Sequence, residues 1–478
     1  MTTSDHHPSS VDETTREDIP LKYGANRQSK WYNCNEECLS GSKFISVAFG
    51  TLTIVITIAL LIQIYYGDYQ VVPHGSVATD SLECSSIGTF ILKQGGNAVD
   101  AAIASAFCLA VITPHITGLD AAGQMMIYNH RTRGAPTVIE FSSSNISSDK
   151  IPRLVLGLAY IHQQYGTIPW RHLVEPSAVV AKNGYVVSKM LVQAVNRVNA
   201  QDLYGRLEAG QRLHHEQLAV TLSTIANISE KELYSYVDST NHPVQSQAVK
   251  STFHGYDVFV PSVESMGPVL LVNLREIEKY NFTEVNVDTT KKIFETTLNI
   301  YQEFNIGARF HEGTSTNVAV MDLDDNYVSL VTGMYALFGS GELTSHGYVL
   351  DVKKREKPCS RLPLILTDNN FICGKRMVLG ANGIAQASQL LSNLIIGNKN
   401  VTDGIEAPRF YLLDNSTIAV EAFHSPKFQL DLLEYLKKIH KEPMLMPEPY
   451  YSSNIVAKSK DDLNSHSDSR GGGIASRF

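Results

Sequence analysis

Residues 313–334 read GTSTNVAVMDLDDNYVSLVTGM. Apolar residues alternate on both sides of Asp324-Asp325-Asn326, which is the period of half-buried strands around a polar turn, so the stretch predicts a β-hairpin. Immediately before it, Gly313-Thr314-Ser315-Thr316-Asn317 places hydroxyls at the entry to a strand. That layout suits an N-terminal-nucleophile enzyme, which cuts its own chain before Thr, Ser or Cys. The freed α-amine, with a pKa of about 7.7–8.0, then serves as base for the adjacent hydroxyl. Small polar residues before strands also form ordinary turns, and the local pattern leaves both readings open.

Upstream of the hairpin the period is helical. Residues 81–94 carry apolar residues at helical spacing and end at Gly95-Gly96; Asn97 is placed to cap a second helix, AVDAAIASAFCLAVI, which ends at Thr113-Pro114. Residues 115–141 turn to strand character around an Arg/Gly/Ala/Pro turn. Residues 153–200 read as helical with breaks at Pro169 and Pro176. A short strand follows near 256–260, with helices at 267–278 and 288–304. Beyond the hairpin, strands are expected at 347–352, 363–368, 376–379 and 416–421, and helices at 385–396 and 428–439. The last residues, 459–478, read as a polar, glycine-containing end. Separate runs of helices and strands give an α+β or layered class.

The chain has 478 residues, 43% hydrophobic and 18% charged, with a net charge of −8. Mild acidity argues against a nucleic-acid partner. The run from Phe44 to Gly67 holds no charge and is long enough to span a bilayer, so residues 44–66 are expected as a single membrane helix. Arg27, Lys30 and Lys43 precede it and no basic residue follows until Lys93, which places the N-terminus in the cytosol: a type II protein of the plasma membrane or secretory pathway. Residues 1–43, rich in small polar residues, are expected to be a disordered tail. Glycosylation sequons at Asn145, Asn227, Asn281, Asn400 and Asn415 all follow the helix. Cys84, Cys108, Cys359 and Cys373 form an even set in an oxidising compartment, and spacing alone leaves their pairing open.

No H-E-x-x-H, clustered CxxC, P-loop or GxSxG motif occurs, so no metal or organic cofactor is expected. The chemistry-bearing stretch remains the one at Ser315.

VATDSLECSSIG, QGGNAVDAAIASAFCLAVITPH, YGTIPW, VPSVESMGPVLL, the hairpin with MYALFGSG after it, LGANG and SDSRGGG together resemble the γ-glutamyltransferase, or glutathione hydrolase, family over residues 72–478. LLIQIYYGDYQ at the membrane exit and the LGANG loop resemble its glutathione hydrolase 7 subgroup. The resemblance implies a four-layer αββα sandwich of the N-terminal-nucleophile hydrolase type, with a large-subunit-like region at 67–313 and a small-subunit-like region at 314–478. It also implies a Cys84–Cys108 disulfide and γ-glutamyl transfer from glutathione, or another γ-glutamyl compound, to water or an amino acid.

Carried over position by position, the nucleophile falls on Ser315, with Thr314 as the alternative one residue earlier. Ser360 and Gly383 are kept as substrate-binding, oxyanion-holding positions. Elsewhere the pattern departs. Asn317 stands at a histidine position, and Gly333 and Tyr335 replace a threonine and an asparagine. Lys353 and Glu356 fall where two acids stand, Cys359 replaces the first serine of a pair, and Ile384 the second glycine of a loop. Asp120-Ala121-Ala122 replaces a glycine run, and GARFHEGT is a shortened approach to the nucleophile. Ser142 takes the place of an arginine that grips a carboxylate, a charged hydrogen bond of ~1.5–3 kcal/mol. Two expectations follow: an enzyme whose activity is weak or lost, or a catalytically silent ectodomain acting as a binding or regulatory module.

Overall fold

The computed structural model describes residues 35–66, 73–142, 151–228, 232–233, 242–262, 265–352, 357–358, 360–413, 417–421, 426–439 and 443–478, and two compact units divide at Gln70/Val71. The first unit contains the helix Asn35–Tyr66, which starts well before the charge-free run. Within it Lys43–Tyr65 has a mean hydropathy of 2.5 and no buried residues, so by length and composition it can cross a membrane. The remainder of the expected tail, residues 1–34, lies outside the described residues.

In the second unit the hairpin forms as read. Strands Thr316–Met321 and Asn326–Gly333 pair antiparallel from Thr316↔Thr332 to Met321↔Tyr327. Asp322 makes the turn: its carboxylate accepts the amides of Asp324 and Asn326 at 2.9 Å, while Asp325 takes a left-handed φ of 57°. The same carboxylate accepts the amide of Ala98 at 2.9 Å, fastening the turn to the first residue of the helix Ala98–Ile112. Asn97 and Asp100 close a capping box on that helix. All fifteen of its residues are buried, which its small side chains permit.

Among the described residues the hairpin is the middle of a seven-stranded sheet. Its order runs Ser476–Arg477, Ser76–Ala78, Thr316–Met321, Asn326–Gly333, Ala122–Asn129, Thr137–Glu140, Val244–Gln247. A six-stranded sheet runs Asp462–His466, Ile455–Ser459, Arg376–Asn382, Arg361–Asp368, Tyr256–Val260, Val249–Phe253. Three cores give the layers. One packs Val318, Val320, Val328 and Leu330 against the helices Ala98–Ile112, Arg153–Tyr165 and Trp170–Asn183. A second packs Leu362, Leu364 and Leu379 against Gly267–Glu278, Val287–Glu303 and Gly383–Leu391. The third, with Tyr128, Ala319, Met321, Ile365 and Val378, fills the space between the sheets. The result is the αββα sandwich.

Several expectations need correction. Pro176 does not break the chain; it lies inside the helix Trp170–Asn183, while Pro169 caps that helix. Residues 347–352 form no strand beyond an isolated bridge, Leu343↔Val349. The polar end is folded: Asp462–His466 extends the second sheet, and Ser476–Arg477 pairs with Ser76–Val77 at the edge of the first. Cys84 and Cys108 are disulfide-bonded, joining the helices Leu82–Lys93 and Ala98–Ile112. Cys373 is a free, exposed thiol; Cys359 lies outside the described residues.

Candidate functional site

Ser315 and Thr314 lie where the hairpin opens, in the wall of a cavity of about 280 Å³ that also includes Arg197, His311, Glu312, Tyr335, Tyr450 and Tyr451. Both are buried, at 6% and 8% exposure. Their hydroxyls differ. Thr314 Oγ1 lies 2.8 Å from the Ile116 carbonyl and 3.0 Å from that of Met334, and accepts the Met334 amide at 3.2 Å. It is locked into backbone. Ser315 has no such tie among the described residues, so of the two alternatives it is the hydroxyl left to face a ligand.

A buried polar network supports the strand behind it. The Thr316 hydroxyl donates to Asp80 at 2.5 Å, Ser452 donates to the same carboxylate at 2.8 Å, and Asn454 Nδ2 at 2.7 Å. Burial raises the Asp80 pKa above its ordinary value, against these hydrogen bonds, which favour the charged form. Asn317 donates to the Asn454 carbonyl at 2.8 Å and accepts its amide at 2.7 Å, so its amide works as a strand tie. Asp468 accepts the Ser453 amide at 2.9 Å and pairs with Arg409 and Arg470, the latter also held by Glu421. The SDSRGGG stretch thereby braces the strand next to the site.

Ser360 and Gly383 come together but do not line the cavity. The Gly383 amide donates to the Ser360 carbonyl at 2.7 Å, with Gly383 at a φ of +83°. The Ser360 hydroxyl lies 2.6 Å from Asn382 Oδ1 and 2.9 Å from the Glu312 carbonyl. Ser360 also donates its amide to the His311 carbonyl at 2.9 Å. Both residues therefore position the chain that approaches Ser315. His311 stacks on Tyr335 at 4.0 Å between ring centroids, with Nε2 2.9 Å from the Tyr335 carbonyl. Among the described residues no side-chain base is bonded to Ser315, so activation of its hydroxyl would fall to its own α-amine.

The substituted positions have structural work. Asp120 makes a two-pronged ion pair with Arg153, at 3.0 and 2.8 Å, and accepts the Asp351 amide at 2.9 Å. Ser142 hydrogen-bonds to Glu140. Lys353, Glu356, Asn145 and Asn415 lie outside the described residues; Asn227, Asn281 and Asn400 are exposed. Sequence reasoning missed Tyr450, Tyr451 and Arg197. The adjacent aromatic pair after a proline was the available signal for the first two.

A family model described as Gamma-glutamyltranspeptidase matches residues 84–236. Two mammalian proteins named glutathione hydrolase 7 are similar over most of the chain. The cattle protein (Bos taurus) is 25% identical over 84% of this chain and 80% of its own. The human protein (Homo sapiens) is 25% identical over 78% and 74%. Over residues 84–236 the chain is similar to the gamma-glutamyltranspeptidase family, and over most of its length to these two proteins. Among solved structures, a cephalosporin acylase from Bacillus halodurans superposes with a TM-score of 0.68 at 20% identity, covering 85% of this chain and 96% of that one, so the two share a fold. The gamma-glutamyltranspeptidase likeness and the sandwich thus agree.

Proposed function

We propose that the chain is a membrane-anchored γ-glutamyltransferase-family protein whose Ser315 cavity binds γ-glutamyl compounds, with turnover of glutathione weak or lost. The observation that carries this reading is the seating of the chain on Gly333. A β-carbon there would stand 1.9 Å from the Thr314 carbonyl oxygen and 2.9 Å from Ser315 Cα. The peptide before Ser315 fills the volume of the side chain that the family pattern places there. The tied Asn317, the commitment of Ser360 to Asn382, and Tyr335 support the same conclusion. Catalysis needs a nucleophile, a base and donors arranged together, and here the neighbours of Ser315 serve the fold.

The anchor is the helix around residues 44–66, in a type II orientation of the plasma membrane or secretory pathway. The tail 1–43 is cytosolic, and regions 67–313 and 314–478 are outside or lumenal, with glycans on the sequons. A binding or regulatory role without chemistry is the second reading, favoured by the lack, among the described residues, of a side-chain base bonded to Ser315.

The test is hydrolysis of a γ-glutamyl anilide by the detergent-solubilised full chain. Slow release of the aniline, abolished in Ser315→Ala and kept in Thr314→Ala, is expected of a weak enzyme; no release at all supports the silent module. Efficient turnover that survives Ser315→Ala would overturn the assignment.

A further inference from the structure

A larger cavity, of about 600 Å³, adjoins the Ser315 cavity across a shared wall of Ile116, Pro449 and Tyr450. Thr314 and Ser315 line only the smaller one. Two helices frame the larger one. Leu82, Glu83 and Ser86 come from the start of Leu82–Lys93, and Ile112 is the last residue of Ala98–Ile112. The Cys84–Cys108 disulfide joins these helices and so fixes the frame. The lining is mainly apolar: Ile112, Ile116, Tyr185 and Met190, with Leu82 and Val186 exposed at 51% and 57%.

Two polar side chains in this wall lack partners. His115 is 1% exposed, and neither of its ring nitrogens has a hydrogen-bond partner among the described residues. Burial lowers its pKa to about 3, so near neutral pH the ring is uncharged and keeps one nitrogen able to accept a hydrogen bond. Leaving such a group unsatisfied opposes folding, and a ligand that donates to it removes that cost. Glu83 is the second. Among the described residues its carboxylate makes no hydrogen bond or ion pair. Partial burial raises its pKa, opposed by the charge of Arg212, whose guanidinium donates to the Asn183 and Gly184 carbonyls. The other charges in the wall are committed. Asp80 accepts from Thr316, Ser452 and Asn454, and Arg470 is answered by Glu421 and Asp468. The uncommitted charge is thus negative, and the wall favours a cation over an anion.

We propose that this cavity binds an apolar organic amine in its protonated form, with Glu83 as countercharge and His115 as hydrogen-bond acceptor. An ammonium presents donors only, which suits a carboxylate and a neutral imidazole. The apolar lining takes the carbon body, as in other small-molecule sites. The volume admits two fused aromatic rings. The site does not depend on the γ-glutamyl reading, because Ser315 is not in its wall.

The test is a saturation-transfer titration of the full chain in zwitterionic lipid nanodiscs, blanked against empty nanodiscs. Three probes share one body: 2-naphthylmethylammonium, 2-naphthalenemethanol and 2-naphthoate. The wild type is expected to bind the ammonium about threefold more tightly than the alcohol and about tenfold more tightly than the carboxylate. Glu83→Gln is expected to bring the ammonium and the alcohol within about twofold of each other. Glu276→Gln, the same charge change on the helix Gly267–Glu278, is expected to keep the wild-type preference. His115→Phe keeps an aromatic ring without its nitrogens and is expected to weaken the ammonium about threefold. Should His115→Phe fail to fold, Glu83→Gln decides, because Glu83 is partly exposed and bonded to no described residue. A wild type that prefers the carboxylate or binds no probe would overturn the proposal. So would a preference unchanged in Glu83→Gln, or ammonium binding unchanged in a folded His115→Phe.

Discussion

The carbonyl oxygen of Thr314 lies 1.9 Å from where a β-carbon on Gly333 would stand. Sequence places these residues at opposite ends of a hairpin; the fold presses the peptide before Ser315 onto the one residue that leaves it room. Gly333→Ala is therefore expected to displace residues 313–315 and destabilise the protein by about 1–3 kcal/mol, the usual range for forced overpacking. Gly134, where an added β-carbon meets nothing within 4 Å, is the control. Thermal melts should fall for Gly333→Ala and hold for Gly134→Ala. Equal melts would mean that the segment moves aside freely.

The disulfide between Cys84 and Cys108 closes a sequence separation of 24. Loop-closure entropy for that span is worth roughly 3 kcal/mol. Cys84→Ala/Cys108→Ala is expected to lower the guanidinium midpoint accordingly, with a further contribution from packing because both sulfurs are buried. A midpoint equal to that of wild type would contradict this.

Buried histidines set the acid limit. Burial lowers His115 to about 3, and burial with the nearby His214 charge lowers His215 to about 4, from 6.5. Below pH 6.5 the unfolded chain takes up these protons and the folded chain does not, so stability is full above that pH and is lost as pH falls toward 4 and 3. Burial would raise Glu406, but hydrogen bonds from His466 and Ser469 and the Arg470 charge hold it at about 2. Its contribution is present above 4.5 and is lost as pH falls from 4.5 to 2. Urea midpoints should drop between pH 7 and 5 in wild type and in Glu406→Gln alike, and more gently below 4.5 in Glu406→Gln. A flat wild-type profile from pH 7 to 5 would refute the histidine account.

Arg470 holds Glu421 at 2.5 and 2.6 Å and Asp468 at 3.0 Å, all fully buried. Arg470→Met leaves two carboxylates short of their cation, and a loss of about 3–5 kcal/mol is expected. Chemical denaturation measures it, and a loss under 1 kcal/mol would show that Arg409 compensates.

Local signals made much of the fold legible: Asn97 with Asp100, Gly95-Gly96, and the alternation around Asp324-Asp325-Asn326. The misreadings have physical causes. Pro176 is accommodated within a helix that buries Leu173, Val174 and Ser177 beside it, and the polar end becomes strand only because Ile455–Ser459 and Ser76–Ala78 offer edges to pair with. The strand that begins just after Ser315 was legible from the alternation that follows it. The ties of Asn317 to Asn454, 137 residues away, and of Asp80 to Asn454, 374 away, were not, since neither has a local pattern.

The most direct test of the central claim is a denaturing gel with N-terminal sequencing of the full chain. The account predicts one uncut species of 52.7 kDa plus any glycans, with no new terminus. A terminus at Ser315 or Thr314, with two fragments in equal amounts, would give the nucleophile its base and contradict an intact peptide seated on Gly333 before Ser315.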